Sequence, residues 1–444
     1  MRLTYFASST VLLEAGNKKI LMDPWLEDGE YYGSWAHVPP VDVDYGEFDD
    51  VDYIYISHIH PDHLSPLTLA RLPKRIPVLI HSYDGKFLKR NVEAAGFEVR
   101  ELPHNLRTDL GDGVTITILA ADDCNPEICG AYFSCAPLYG RAGSTQIDSL
   151  CVVEHGGQVL VNTNDCPFGL ARHLLPRLLE DFGHVDLLLT GYSGAGPYPQ
   201  CFTNLSDQEK LTAASAKRIQ FLDHGLSYIN ALRPRFVLPF AGQYTLSGRL
   251  SDLNALRGVA ELSDAREYFH ARLDGATKVI LLARHGSLDL SDGRVIKPYE
   301  PMTAAEHENY VETVLSRRCF SFDGDEEPEV ADLVALATAA AERAERKRQE
   351  MGISSDTRVY VRLAENLYAN VSFRGEEVIF CQDAPGDDEP HIVFSVEPKL
   401  LKRILSGPRF AHWNNATIGS HVRFHRVPNR YEAPIYDVMN YFHA

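Results

Sequence analysis

Short apolar runs separated by amphipathic stretches make up most of the first 300 residues. Strand-like runs begin at residues 2–6 and 10–14 and continue through KKILM, PVLIHS, FEVREL, GVTITILA, SLCVVE and QVLVN. Between some of them, SPLTLARL and GKFLKRNVEAAG carry apolar residues at helical spacing. This alternation predicts an α/β protein in which helices cover a layered sheet structure.

The rest of the chain shows two further patterns. A long helix is predicted from about residue 206 to residue 232, and PRFVLPFAGQY then returns as a strand. Two helical stretches flank an acidic loop between residues 301 and 352, which predicts a helical linker or arm. Residues 353–444 alternate strands with a helix and predict a small α+β domain. We therefore expect domains at residues 1–300, 301–352 and 353–444.

Composition narrows the class of protein. The 444 residues are 45% hydrophobic, enough for ordinary cores, and the net charge of -18 argues against a nucleic-acid partner. No long apolar segment or signal-peptide pattern is present, so we expect a cytoplasmic protein without a transmembrane segment. The eight cysteines form no CxxC pair, and reduced thiols are the simplest interpretation.

The segment YIYISHIHPDHLSP carries the strongest chemical signal. An apolar strand leads into His58, His60, Asp62 and His63, which fall within six positions. Imidazoles and a carboxylate delivered by one loop can converge on one or two metal ions. Surface histidines beside a turn are the competing interpretation, and the density of the pattern favours a metal site.

Two further segments add candidate residues to the predicted metal site. Asp23 follows the strand KKILM, where it can either orient a ligand histidine or cap the turn. The loop EDGEYYGSWAHVPPVD is rich in aromatic, Gly and Pro residues and has no period. Its side chains can shape a substrate pocket or cover the core; they are Tyr31, Tyr32, Trp35 and His37.

The HxHxDH motif resembles the metallo-β-lactamase superfamily. Together with DPWL at 23–26, VNTNDC at 161–166, SGAGPYP at 193–199 and PRFVLPFAG at 234–242, it resembles the metallo-β-lactamase-like domain of CMP-N-acetylneuraminate hydroxylases. More distantly, the chain is similar to UlaG-like lactonases and N-acylphosphatidylethanolamine phospholipases. The resemblance implies a four-layer αβ/βα sandwich with one or two metal ions at the sheet edges. It also implies that Asp165, released by the strand VLVNT, is the bridging ligand.

The chain departs from this family in three places. It lacks the paired CxH and CxxH segments of a Rieske cluster, so an oxygenase of this kind would need electrons from a separate donor protein. Asn125 stands where the resemblance implies the next histidine, and it is a possible additional ligand together with Asp122 and Asp123. No histidine follows the strand PRFVLPFAG, and Arg249 lies near the position expected for one.

Several residues are candidates for substrate binding. The loop at residues 191–199, including Tyr192 and Ser193, can bind an anion through its backbone N–H groups or serve only as structure. By period-two alternation, His421, Arg423 and His425 are predicted on one face of a strand, where surface or interdomain hydrogen bonding is favoured over metal ligation. The full set of further candidates for substrate or anion binding is Arg141, Arg249, His412, His421 and Arg423.

Three functions are consistent with these features. The first is an iron-dependent oxygenase acting on a small anionic, nucleotide-sugar-like substrate, in which His58, His60 and Asp165 hold one iron while Asp62 and His63 hold a second or orient the first. The second is a zinc- or manganese-dependent hydrolase of an ester, lactone or phosphodiester, with Asp62 as general base or metal ligand. The third is a binding protein with a degenerate site. We favour a metal-dependent enzyme and, narrowly, the oxygenase.

Overall fold

The computed structural model describes residues 1–83, 85–120, 149–383, 385–386 and 388–444. Within these ranges, two large sheets form most of the first 300 residues. The first sheet has eight strands, in the spatial order Val295–Pro298, Leu282–Asp289, Arg2–Ala7, Thr10–Ala15, Lys18–Met22, Tyr53–Tyr55, Val78–His81 and Val99–Leu102. The second has seven, in the order Lys278–Val279, Phe236–Phe240, Leu187–Gly191, Gln158–Asn162, Ser149–His155, Val114–Ala120 and Thr108–Gly111.

The two sheets share one buried core. Leu13 and Ile20 of the first sheet and Ile116 and Leu187 of the second are fully buried in it. Helices cover both outer faces: Pro66–Arg71 and Phe87–Ala94 pack on the first sheet, and Leu175–Phe182, Asp207–Leu232 and Leu262–His270 pack on the second. The order helix, sheet, sheet, helix confirms the predicted four-layer α/β sandwich.

The long helix shows how closely local sequence fixes its start. Ser206 accepts a hydrogen bond at Oγ from the N–H of Glu209, whose carboxylate in turn accepts from the N–H of Ser206. This reciprocal capping satisfies N–H groups that have no partner inside the helix. This cap fixes the start of the helix. The helix Asp207–Leu232 matches the span predicted from the sequence.

Strand direction brings the candidate residues to one edge. Strand Tyr53–Tyr55 runs parallel to Lys18–Met22, and in the second sheet Leu187–Gly191 runs parallel to both of its neighbours. Parallel strands present their carboxyl ends at the same edge, where ligands commonly bind in α/β sheets. The residues that follow these strands include Asp23, His58, Asp165 and Tyr192.

A five-stranded sheet organises the C-terminal part. Its spatial order is Ile379–Cys381, Leu367–Val371, Arg358–Ala364, His391–Ser395 and Arg423–Val427. The helix Val330–Met351 buries its Leu333, Ala337, Ala340 and Ala344 stripe in the same core as this sheet, and Trp35 and Tyr244 of the first part lie in that core too. The boundaries predicted at residues 300 and 352 stay predictions.

The remaining elements are short. No helix in the described ranges is both long and apolar enough to cross a bilayer. Trp35–Ala36 and Thr245–Leu246 form a two-stranded sheet. The other helices are Glu30–Gly33, Phe168–Ala171, Ala304–Thr313, Pro398–Leu405, Trp413–Ile418 and Ala433–Met439, with 3-10 turns at Tyr45–Phe48, Gly248–Leu256 and Leu315–Arg317.

One C-terminal prediction was wrong. The strand predicted to carry His421 begins only at Arg423, and the residues WNNATI before it form the helix Trp413–Ile418. The Nδ1 atom of His412 accepts a hydrogen bond from the N–H of Asn414, which supports the first turn of this helix. His421 therefore precedes the strand and does not share a face with Arg423 and His425.

Candidate metal centre

The histidine motif occupies the loop between strand Tyr53–Tyr55 and helix Pro66–Arg71. Within the loop, the N–H of His63 donates to the carbonyl oxygen of His60 at 2.9 Å, and Ser65 caps the following helix. This tight turn lets four side chains that are close in sequence reach the same small volume.

The first group of converging ligand atoms comes from His58, His60 and Asp165. The Nε2 atom of His58 lies 3.0 Å from Nδ1 of His60 and 3.8 Å from Oδ2 of Asp165. Asp165 reaches this position because Asn164 adopts φ 48° and donates from its amide to the carbonyl oxygen of Ser149.

The second group comes from Asp62, His63 and Asp165. The Nε2 atom of His63 lies 3.4 Å from Oδ1 of Asp165 and 3.7 Å from Oδ2 of Asp62. In each group the three ligand atoms lie within 4.8 Å of one another. The structure thus brings together all five residues predicted as metal ligands, with Asp165 common to both groups.

Asp23 fixes the orientation of His63. Its Oδ2 accepts hydrogen bonds from Nδ1 of His63 at 2.9 Å and from Oγ of Ser57 at 2.8 Å, and its Oδ1 accepts from the N–H of Ser57. Asp23 therefore contacts a histidine of the motif and also accepts from the backbone of the turn, so both roles considered for it from the sequence are present. A carboxylate behind a ligand histidine is a common support in metal sites.

The donor set fits a metal ion. The Nε2 atom of His63 is buried and has no hydrogen-bond partner among the described residues. It faces two carboxylates, and its ring is held by Asp23 from the opposite side. Imidazole nitrogens and carboxylate oxygens at this spacing suit iron, zinc or manganese.

Nearby charges and burial shift the pKa values of this cluster in opposite directions. Burial lowers the pKa of His58 well below its usual value and keeps the imidazole neutral. Burial also disfavours a charged His63, but the carboxylates of Asp165 and Asp23 outweigh it and raise the pKa of His63 well above the usual value. Conversely, burial would raise the pKa of Asp165, and the histidines around it lower that pKa. The carboxylates therefore retain a proton on His63 that metal binding must displace.

Tyr31 holds Asp62 from the aromatic loop. Its hydroxyl donates to Oδ1 of Asp62, and Oγ of Ser9 donates to the carbonyl oxygen of Asp62 at 2.6 Å. Tyr31 has a left-handed backbone with φ 51°. Its carbonyl oxygen accepts from Nε2 of His421, so a C-terminal residue supports the turn.

A cavity of about 480 Å³ opens beside the cluster. His60, Asp62 and Asp165 line it, so candidate ligands of both groups face the same space. The remaining walls include Trp35 of the aromatic loop, Ser193 and Gly194 of the glycine-rich loop, Phe221 and His224 of the long helix, and Tyr244.

The long helix contributes lining residues that the sequence did not reveal. Gln220, Phe221, His224 and Ser227 project from one side of Asp207–Leu232 into the cavity. Burial lowers the pKa of His224 to about 4. Phe221, His224 and Ser227 recur every three residues, which is a helical signal. This spacing gives no indication of which end of the sheets the helix reaches.

The predicted substrate residues divide between the cavity and other places. Ser193 lines the cavity, whereas Tyr192 is fully buried beside Gly242. Arg249 does not occupy the place of a ligand or line the cavity: its guanidinium pairs with Asp323 and Glu397. These carboxylates attract it to the interface with the C-terminal part.

The C-terminal candidates are not among the described residues that line the cavity. His412 caps its helix, and His421 binds the carbonyl oxygen of Tyr31. Arg423 opens a strand and is not among the described residues that line the cavity. Asp122, Asp123, Asn125 and Arg141 lie outside the described residues.

Comparison with known proteins agrees with this geometry. Residues 2–117 match the model of the beta-lactamase superfamily domain. The first part of the chain is therefore similar to the beta-lactamase superfamily domain, in agreement with the histidine motif and the four-layer sandwich.

Relatives of known description extend the likeness beyond that domain. A predicted Rieske 2Fe-2S iron-sulfur protein from Mycolicibacterium smegmatis is 31% identical over 263 residues, which cover 57% of this chain and 46% of that protein. The cytidine monophosphate-N-acetylneuraminic acid hydroxylase of Danio rerio is 27% identical over 255 residues, covering 55% of this chain and 38% of that protein. The matched region thus spans less than half the length of either relative.

A solved structure is also similar. The isothiocyanate hydrolase from Delia radicum gut bacteria aligns with a TM-score of 0.45 and 16% identity, covering 65% of this chain and 99% of that chain.

Proposed function

We propose that this protein is a metal-dependent enzyme with a two-iron centre that hydroxylates a small substrate. The observation that carries the proposal is the pair of ligand groups joined by Asp165. One of them, His58 with His60 and Asp165, is the set of two imidazoles and one carboxylate that non-haem iron oxygenases use with coordination positions left open. The likeness to the Danio rerio hydroxylase supports the same reaction class.

The proposed reaction requires an electron source. Bound iron supplies the redox chemistry with which dioxygen is activated. Hydroxylation of a C–H bond by dioxygen puts one oxygen atom in the product and releases the other as water, which consumes two electrons and two protons. Because the sequence has no CxH and CxxH pairs for a Rieske cluster, we infer a separate electron-donor protein.

The residues of the chain position the reacting groups. Tyr31 and Ser9 hold Asp62 in the wall of the cavity, and Asp23 holds His63 behind it. Trp35 and Phe221 are apolar parts of the wall and reduce the space for water. This arrangement provides a partly enclosed site in which electrostatic interactions are stronger than in bulk water.

The substrate is proposed to be a small anionic molecule, and a nucleotide-sugar-like one is supported by the hydroxylase relative. The described lining of the cavity contains neither Arg nor Lys. An anionic group would therefore be bound by the metal, by the hydroxyl of Ser193 and by backbone N–H groups of the loop at residues 191–199.

A hydrolase is the second candidate, and the placement of Asp62 favours it. This carboxylate lines the cavity and lies beside His63, where it can accept a proton from an attacking water. A bound zinc or manganese ion would act as a Lewis acid and lower the pKa of a coordinated water. Esters, lactones and phosphodiesters are the corresponding substrates.

Two assays on one preparation separate these functions. Iron-loaded protein should consume dioxygen when a chemical reductant and nucleotide sugars are supplied, and His60→Ala should abolish that consumption. Exposed His270 on an outer helix provides the control His270→Ala, which should behave as wild type. Turnover of a chromogenic phosphodiester by zinc- or manganese-loaded protein, without dioxygen consumption by the iron form, would favour the hydrolase. Protein that binds no metal would contradict both enzymes and favour a degenerate site.

A further inference from the structure

A residue of the C-terminal part touches the metal centre directly. The side-chain amide nitrogen of Asn414 lies 3.2 Å from Nε2 of His60, although 354 positions separate them in sequence. The helix that carries Asn414 is anchored by Trp413, which is buried and donates from its indole nitrogen to the carbonyl oxygen of Phe442. Asn414 is therefore held against the face of His60 that points away from His58.

The ring nitrogens of His58 and His60 have two kinds of neighbour. Nδ1 of His60 and Nε2 of His58 lie 3.0 Å apart and face each other. Nε2 of His60 lies beside the side-chain amide of Asn414, and Nδ1 of His58 lies 2.9 Å from Oγ of Ser57, which donates to the carboxylate of Asp23. The two facing nitrogens are therefore the ones available to a metal ion in the first ligand group.

A metal ion in the first ligand group would fix the tautomer of His60. It would take a lone pair from each facing nitrogen, so a neutral His60 would carry its proton on Nε2. A proton on Nε2 needs an acceptor, and the side-chain amide of Asn414, 3.2 Å away, can present its Oδ1 there.

We propose that Asn414 is a positioning residue of the metal centre, whose Oδ1 accepts the Nε2 proton of His60 when metal is bound. The inference rests on the proposed metal site. It gives the C-terminal part a role in metal affinity as well as in packing, because a hydrogen-bonded partner behind a ligand histidine fixes the ring and its tautomer.

Two substitutions separate the acceptor function from shape. Asn414→Asp keeps the shape and can only accept, so it should bind Zn²⁺ as tightly as wild type or more tightly. Asn414→Leu offers no acceptor and should weaken Zn²⁺ binding by about 10- to 100-fold. The dissociation constants come from competition with a chromophoric chelator. Asn370, which bonds the hydroxyl of Tyr360 in the C-terminal sheet, provides the control Asn370→Leu, for which no change is expected.

A second readout follows the proton itself. In protein labelled with 15N-histidine, the Nε2 resonance of His60, assigned by its change in Asn414→Asp, should lie in the protonated range when Zn²⁺ is bound. An unprotonated Nε2 in the Zn²⁺-bound protein would overturn the acceptor role of Asn414.

The outcomes distinguish this inference from the proposed function. Equal Zn²⁺ affinity in wild type and Asn414→Leu, or an Asn414→Asp variant as weak as Asn414→Leu, would overturn the role of Asn414 and leave the metal centre standing. Wild-type protein that binds no metal would overturn both. Thermal unfolding of the metal-free variants checks their folding, and if Asn414→Leu does not fold, weakened Zn²⁺ binding by Asn414→Asp alone overturns the inference.

Discussion

Two regions meet at the candidate metal centre, and they differ in how far apart they lie in sequence. The motif loop supplies His58, His60, Asp62 and His63 from six consecutive positions, whereas the segment at residues 412–421 reaches the same centre from the far end of the chain. The first region contains candidate ligands and the second holds their supports. A compact motif can therefore indicate metal-binding chemistry, while the orientation of the candidate ligands depends on contacts with residues far away in sequence.

Loss of Asp165 should break the centre most severely, because this carboxylate belongs to both ligand groups. We expect Asp165→Ala to reduce metal affinity by more than about 100-fold, beyond the range typical for residues that only support a ligand. Metal content measured by mass spectrometry checks this. Asp181→Ala, at an exposed carboxylate paired with Arg177, is the control. Wild-type metal content in Asp165→Ala would show that Asp165 is not a shared ligand.

Removing the tyrosine support should have a smaller effect. Tyr31→Phe deletes the hydroxyl that donates to Asp62 and so loses a hydrogen bond to a charged group, worth about 1.5–3 kcal/mol. We expect metal affinity to fall by roughly 10-fold or somewhat more. Tyr45 also donates to a carboxylate, that of Glu27, and Tyr45→Phe should leave the chelator-competition result unchanged. Unaltered metal binding in Tyr31→Phe would show that the aromatic loop does not support Asp62 as a ligand.

The pH dependence of stability tests the role of His421 in the C-terminal region. Burial lowers its pKa in the folded protein to about 4, below the usual value near 6.5 of the unfolded chain. Between these values the unfolded state binds more protons, so the contribution of His421 to stability is present above about pH 6.5 and is lost as pH falls towards 4.

His421→Gln should flatten that dependence. Between pH 7 and pH 5, wild type should lose about 2 kcal/mol more of its free energy of unfolding than the variant, at roughly 1.4 kcal/mol for each pH unit below 6.5. Urea unfolding in the presence of chelator measures the difference without metal. Parallel pH profiles for the two proteins would contradict the buried, neutral His421.

Arg249→Ala should have the smallest effect. This exposed side chain pairs with Asp323 and Glu397, and exposed ion pairs contribute about 1 kcal/mol or less to stability. We expect unchanged metal affinity and unchanged binding of inorganic phosphate to the metal-loaded protein, measured calorimetrically. Weakened phosphate binding would restore Arg249 as a residue that binds anions.

The sequence predicted the layers and the position of the candidate ligands for physical reasons. Apolar periodicity and the capping box of Ser206 are local signals, and the ligands lie next to strand ends, so the topology brings Asp165 to the histidines. The roles of Asn414 and His421 could not be inferred, because their contacts depend on how two parts of the chain pack. Arg249 was misjudged for the same reason, since its acidic partners lie 74 and 148 positions away.

Asp165 is proposed to join two metal sites, one in each ligand group. Metal analysis of the full chain, expressed with iron supplied and purified without chelators, tests this proposal. We predict two iron atoms per chain, one for each ligand group. A ratio near zero would contradict the metal centre, and zinc in place of iron would contradict the oxygenase and favour the hydrolase.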